Sequence, residues 1–246
     1  MLSDSPTTAP QAEQPRFGPR EACVVIPMHN EATVIASVVA GLRPHFSTIV
    51  CVDDGSTDGS DRVARAAGAT VLRHAINLGQ GASLQTGISY AVRHTATDLV
   101  VTFDADGQHD ALDAVRMVER ARRGDVDVVL GSRFLDGGGL SVPASRRRLL
   151  KGAVGFTRLT TGLPVTDTHN GLRVLTSAAA AELQLHTRGM GHASELLDQV
   201  AANRWRVCEV PVTIAYTEYS RAKGQSSLNA VNILFDLMLQ RLYPVR

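Results

Sequence analysis

The chain is short of several things, and each shortage excludes something. Its three cysteines, Cys23, Cys51 and Cys208, are too few and too scattered for a disulfide framework or a zinc site. Cys23 and Cys51 lie inside apolar runs, where a thiol behaves as a small buried hydrophobe. A reducing, cytoplasmic setting follows. Charge of one sign is also missing: 25 Lys and Arg against 24 Asp and Glu leave +1, so no nucleic-acid partner is indicated. No apolar run reaches the ~18–20 residues needed to cross a bilayer. Residues 1–20 are polar and lack a signal peptide's apolar centre, and they read as a disordered leader. What remains is ordinary. With 246 residues, 44% hydrophobic and 20% charged, the chain is neither disordered nor collagen-like and needs no staples to bury a core.

From residue 22 onward, short β-branched runs alternate with helical periods. ACVVIPM (22–28), TIVCVD (48–53), ATVLRH (69–74), DLVVTFD (98–104) and DVVLGS (127–132) read as strands. Between them, apolar residues at 3.6 spacing predict helices over 31–42, up to Ala67, over 80–94 and from Leu112 to Gly124. Strands that are apolar without alternation, each followed by a helix, imply a parallel sheet covered on both faces. The fold class is therefore α/β with a doubly wound, mostly parallel sheet, and ligands belong at the carboxyl ends of its strands. The second half is less regular: a basic helix over 145–161, strands in GLRVLT and VCEVPVTIAY, and a helix over 227–243 with one apolar face.

The strand ends carry PMHNE, DDGSTDGS, NLGQG and DADGQH. In Asp104-Ala105-Asp106-Gly107-Gln108, alternate residues of an extended segment point the same way, so Asp104, Asp106 and Gln108 can converge. Three hard oxygen donors suit Mg²⁺ or Mn²⁺ rather than zinc. A solvated turn with capping aspartates would look the same, and haloacid-type phosphatases and TOPRIM-type nucleases also pair aspartates. The phosphatases place Thr or Val where this chain has Gln108. Asp53-Asp54-Gly55-Ser56 suits either turn chemistry or the holding of a base or ribose. Gly79 and Gly81 stand just before a helix, where backbone approaches a ligand closely, but no Lys-Ser/Thr follows to make a Walker loop.

Taken in order, these segments resemble the family 2 glycosyltransferases of GT-A fold, and most closely the dolichol- or polyprenyl-phosphate sugar transferase branch. The resemblance runs through Val25–Glu31, Val52–Gly59, Asn77-x-Gly79-x-Gly81, Asp104–His109, Gly131–Phe134, Arg147, Asp167–Arg173, Glu209–Pro211 and Arg221-x-x-Gly224-x-Ser226. It implies one GT-A domain over 21–226; the amphipathic helix that follows, over 227–246, is read from the spacing of its apolar residues. The resemblance implies that Pro27, His29, Glu31, Asp53 and Asp54, with Gly79 and Ala105, hold the nucleotide-sugar donor, GDP- or UDP-linked. Asp104 and Asp106 would bridge the ribose and the metal, with Gln108 as a further ligand. Arg133, Arg147 and Arg221 match arginines that contact the donor diphosphate or the acceptor phosphate. Two positions depart from the family's common residues, His29 for Tyr and Ser227 for Lys, the latter with Lys223 nearby.

The resemblance further implies inversion of the anomeric centre by one in-line displacement. A lipid-phosphate acceptor is already mostly anionic at pH 7, since its second pKa is about 6, so it needs no strong base. A hydroxyl acceptor on a glycan or metabolite would need one, and Glu195 is the candidate, although a capping glutamate would look identical. Two basic segments, 143–158 and 219–246, favour the lipid phosphate, with Arg147, Arg221 and Lys223 as its contacts. The helix over 227–243 suits a membrane interface, packing on the core, or a second subunit in a homodimer. The expectation is a cytoplasmic protein, peripheral at the cytoplasmic face of the membrane, alone or with a small membrane partner protein.

Overall fold

The computed structural model describes residues 16–18, 20–135, 144–187, 189 and 191–215, with backbone alone for 144–151 and 153. The strands β1 (Cys23–Met28), β2 (Thr48–Asp53), β3 (Thr70–Arg73), β4 (Leu99–Thr102), β5 (Val128–Ser132), β6 (Arg173–Thr176) and β7 (Val207–Pro211) form one sheet in the order β3-β2-β1-β4-β6-β5-β7. The helices are α1 (Ile35–Leu42), α2 (Ser60–Ala66), α3 (Gln80–Tyr90), α4 (Ala111–Ala121), α5 (Ala144–Thr161), α6 (Ser177–Glu182) and α7 (His192–Ala202). Alternate strand residues enter opposite layers. Val24 and Ile26 pack with Ile35, Val39, Val115 and Val118 of α1 and α4, whereas Cys23 and Val25 pack with Leu84 and Ile88 of α3 and Leu196 and Leu197 of α7. This is the doubly wound sheet that the unalternated apolar runs imply.

β1 pairs in parallel with β2 and β4, β2 with β3, and β5 with β7. β6 alone is reversed, antiparallel to both β4 and β5. That reversal positions the site. It brings the start of β6 beside the carboxyl end of β4, where DADGQH lies.

Three expectations are corrected. The helix expected over 31–42 begins only at Ile35. The backbone N–H groups of Asn30, Glu31 and Ala32 donate instead to Ser56 Oγ, Ser60 Oγ and Asp58 Oδ2, which ties the first strand-end loop to the second. Ordered structure also begins before residue 21: Phe17, placed in the leader by its polar surroundings, is 1% exposed and stacks on Phe46 at 5.3 Å. The helix expected over 80–94 is two pieces, α3 and a π-helical turn Ala91–Thr95. The segment 227–246 lies outside the described residues. Cys23 and Cys51 are buried as expected, and burial pushes both thiols up to about 12, so neither is reactive.

Candidate active site

The carboxyl ends of β1, β2 and β4 open onto a cleft of about 380 Å³. Pro27, His29, Glu31, Asp54, Gly79, Asp104, Ala105, Asp106 and Gln108 line it, joined by Gln80 and His169. Most of the expected donor-side residues therefore share one cavity. Asp53, Arg133 and Glu195 are not in its wall. The side chain of Arg147 on α5, and Arg221 and Lys223, lie outside the described residues.

Asp104 follows β4 and is held from two sides. His109 Nε2 lies 3.0 Å from its Oδ2, and Gln80 Nε2 donates to its Oδ1 at 3.3 Å. Burial alone would raise its pKa, but the His109 hydrogen bond and the charges of His109 and Arg173 carry it below the ordinary carboxylate value. Asp106 is different. Burial, and then the negative charge of Asp104, push it up to about 6, and Glu31 adds to the repulsion. Its Oδ1 accepts the Gln108 N–H at 3.0 Å, which curls the loop so that the two carboxylates stay neighbours.

This donor set fits Mg²⁺ or Mn²⁺. It offers carboxylate and amide oxygens, and its excess negative charge is what a divalent cation relieves. Among the described residues no three His, Cys, Asp or Glu side chains group closely enough to hold an ion. A hard cation here would take its remaining ligands from water and from substrate phosphates, as Mg²⁺ usually does. The Asp104 carboxylate packs against the Cα of Gly171, where an added Cβ would overlap both its oxygens. Gly171→Ala is therefore expected to displace Asp104, lowering activity about tenfold to a hundredfold and raising the metal concentration required. Melting temperature and a metal titration of activity check this; an unchanged titration would count against the packing argument.

Asp54 reaches the cleft, but both its oxygens are engaged. Oδ1 accepts the Leu78 N–H at 2.9 Å and lies 2.8 Å from His74 Nδ1, while Oδ2 accepts the Gly79 N–H at 2.7 Å. Gly79 sits at φ +95°, where a side chain would be strained, so Asp54 shapes the NLGQG loop that precedes α3. Asp53 is fully buried. Its Oδ1 accepts the Ser56 N–H at 3.0 Å and its Oδ2 lies 3.3 Å from Arg73 Nε. His29 Nδ1 donates to the Asp54 carbonyl at 2.8 Å. The two loops thus hold one another.

Arg133 follows β5 and grips Asp167 with Nε at 2.6 Å and Nη2 at 2.8 Å. Glu209 of β7 completes that corner by accepting the N–H groups of Thr166 and Asp167 at 2.7 and 3.1 Å. Glu195, in the first turn of α7, accepts N–H groups from His186 and Thr187 at 2.9 Å each. Burial alone would raise its pKa, but those bonds carry it below the ordinary value. A carboxylate so committed is a weak base, and the structure gives it a loop to hold.

Gln80, His109, His169 and the buried Arg173 carry no site role in the sequence motifs alone. The signal for Arg173 was present, since a charge inside the apolar run GLRVLT needs a partner.

The doubly wound sheet, with paired aspartates facing a cleft beyond its central strand, has the GT-A fold of solved glycosyltransferases. Glucosyl-3-phosphoglycerate synthase from Mycobacterium tuberculosis superposes on it with a TM-score of 0.66 at 21% identity, over 90% of this chain and 80% of that one. The same enzyme solved with Mn²⁺, UDP-glucose and phosphoglyceric acid gives 0.66 at 20% identity, over 97% and 85%. Residues 23–182 match Glycosyl transferase family 2, and the chain belongs to that family. Among its relatives, an uncharacterized protein of Methanocaldococcus jannaschii is 34% identical over 91% of this chain and 93% of its own. The UDP-N-acetylglucosamine–dolichyl-phosphate N-acetylglucosaminyltransferase of Methanococcus voltae is 29% identical over 90% and 96%. The undecaprenyl-phosphate mannosyltransferase of Micrococcus luteus is 28% identical over 81% and 85%.

Proposed function

We propose that this glycosyltransferase moves a hexose from a nucleotide-sugar to a polyprenyl phosphate, with inversion, using Mg²⁺ or Mn²⁺. The observation that carries the reading is the cleft itself. Nucleoside-side residues Pro27, His29 and Glu31 face the paired carboxylates Asp104 and Asp106 within one cavity. Two relatives matched over most of their length are named as transferases to dolichyl and undecaprenyl phosphate, which supports the acceptor.

In this reading Asp104, Asp106 and Gln108 would hold a divalent ion, whose positive charge would offset that of the departing nucleoside diphosphate. His109 and Gln80 orient Asp104. Asp54 keeps the Leu78–Gly79 backbone in the shape that closes the nucleoside side. Arg133, whose guanidinium is held by Asp167, and Arg147, Arg221 and Lys223 are the cations assigned in this reading to the donor and acceptor phosphates. The commitment of Glu195 to its loop favours an acceptor that arrives already ionised, so that positioning replaces base catalysis. The protein acts at the cytoplasmic face of a membrane as a peripheral enzyme; among the described residues no helix is long and apolar enough to cross one.

The test incubates the purified protein with Mn²⁺, radiolabelled UDP-glucose, UDP-N-acetylglucosamine or GDP-mannose, and undecaprenyl or dolichyl phosphate. A labelled lipid that releases its sugar in mild acid is expected, and chelator should abolish it. An acid-stable product would redirect the acceptor to a hydroxyl.

A further inference from the structure

His169 sits at one end of the cleft wall, on the loop that leads into β6. Its Nδ1 lies 2.7 Å from Thr168 Oγ1, while its Nε2 is buried with no hydrogen-bond partner. A buried polar nitrogen left unmatched in a cleft wall is costly and calls for an explanation. The order of the sheet supplies one. Across the cleft, β2 and β1 present Asp54, Pro27 and His29, β4 presents Asp104 and Asp106, and the next strand, β6, is preceded by His169. With a nucleoside at β1 and β2 and a diphosphate at the aspartates, the group beyond the diphosphate lies over the start of β6.

We infer that His169 Nε2 is a hydrogen-bonding contact for a hydroxyl of the transferred sugar, and that His169 helps determine which sugar is accepted. This rests on the donor reading above. The chemistry points to a hydroxyl rather than a phosphate. Burial, reinforced by the charges of Arg133 and Arg173 against that of Asp167, pushes the imidazole down to about 4, so it is neutral at pH 7. A neutral ring offers no charge to a phosphate. Whichever way the Thr168 hydroxyl points, Nε2 is left as one donor or one acceptor, and a hydroxyl can answer either. Sugars that differ in the orientation of one hydroxyl would be told apart by such a contact, because the wrong epimer leaves the nitrogen unmatched again.

The experiment compares wild type, His169→Phe and His169→Gln for binding of UDP, GDP, UDP-glucose, UDP-N-acetylglucosamine and GDP-mannose, each with Mn²⁺. His169→Phe should bind the free nucleoside diphosphate within twofold of wild type. It should bind the preferred sugar nucleotide about five- to tenfold more weakly, as loss of one hydrogen bond predicts. His169→Gln should restore part of that loss. If His169→Phe does not fold, a changed order of preference among the sugar nucleotides in His169→Gln and His169→Asn reads the same contact. Wild-type affinity and preference in every folded variant would overturn the inference while leaving the donor site standing. Failure of the unaltered protein to bind any nucleotide would overturn both.

Discussion

Asp106→Asn is expected to lower turnover by about 10²–10³-fold, on the scale of removing one group that stabilises transition-state charge, while the metal-free protein becomes more stable. The two effects have one cause. In the fold the Asp106 carboxyl is pushed up to about 6 from an ordinary 3.8, because burial and the neighbouring Asp104 charge both oppose its ionisation. Between those values the folded chain holds a proton that the unfolded chain has released. Stability therefore falls as pH rises through that window and stays reduced above it. Asparagine removes the repulsion. In chelator at pH 8 the variant should melt roughly 2–4 °C above wild type, about 1 kcal/mol once partial exposure is discounted. The difference should vanish near pH 4. Added Mn²⁺ should raise the melting temperature of wild type more than that of the variant. Turnover of Asp106→Asn equal to wild type across a Mn²⁺ titration would remove Asp106 from the metal site.

Much of the site was legible because its polar residues and glycines sit between buried strands, and a parallel sheet places ligands at one end. Asp104, Asp106, Gln108 and Gly79 could be read that way. The division of labour among carboxylates could not. Asp54 and Glu195 have the side chains a ligand-binding or basic residue would have, yet each spends its oxygens on backbone N–H groups of a neighbouring loop. Only geometry separates an acid that faces a substrate from one that shapes the wall. The reversed direction of β6 was equally hidden, since an apolar run carries no arrow. α7 was a different kind of miss: Ala193, Leu196, Leu197 and Val200 recur at helical spacing, so its pattern was present in the sequence. Phe17 was disguised by its polar neighbours, although a chain with only 4% aromatic residues seldom leaves one idle.

Asp167→Ala should be the most destabilising change at this end of the sheet, by about 3–5 kcal/mol, or roughly 10 °C in melting temperature. Asp167 is 3% exposed and takes two bonds from the Arg133 guanidinium, one from the Arg133 backbone at 3.1 Å and one from the His169 backbone at 3.2 Å. Alanine removes the carboxylate that neutralises a largely buried cation and releases the loop that carries His169. Burial alone would raise the Asp167 pKa, but Arg133 carries it below the ordinary 3.8. A depressed carboxylate stabilises fully above the unfolded value and loses that contribution as pH falls through the folded one. The gap between wild type and Asp167→Ala should accordingly hold from pH 8 to pH 5 and narrow below pH 4. Replacing both partners, Arg133→Met with Asp167→Leu, should recover much of the stability, because a buried ion pair contributes little beyond an apolar pair of similar volume. The double variant then separates two roles. Stability regained without turnover assigns the pair a role in the site beyond holding the fold, whereas turnover regained with stability leaves it a strut that holds β5 to the 165–170 loop.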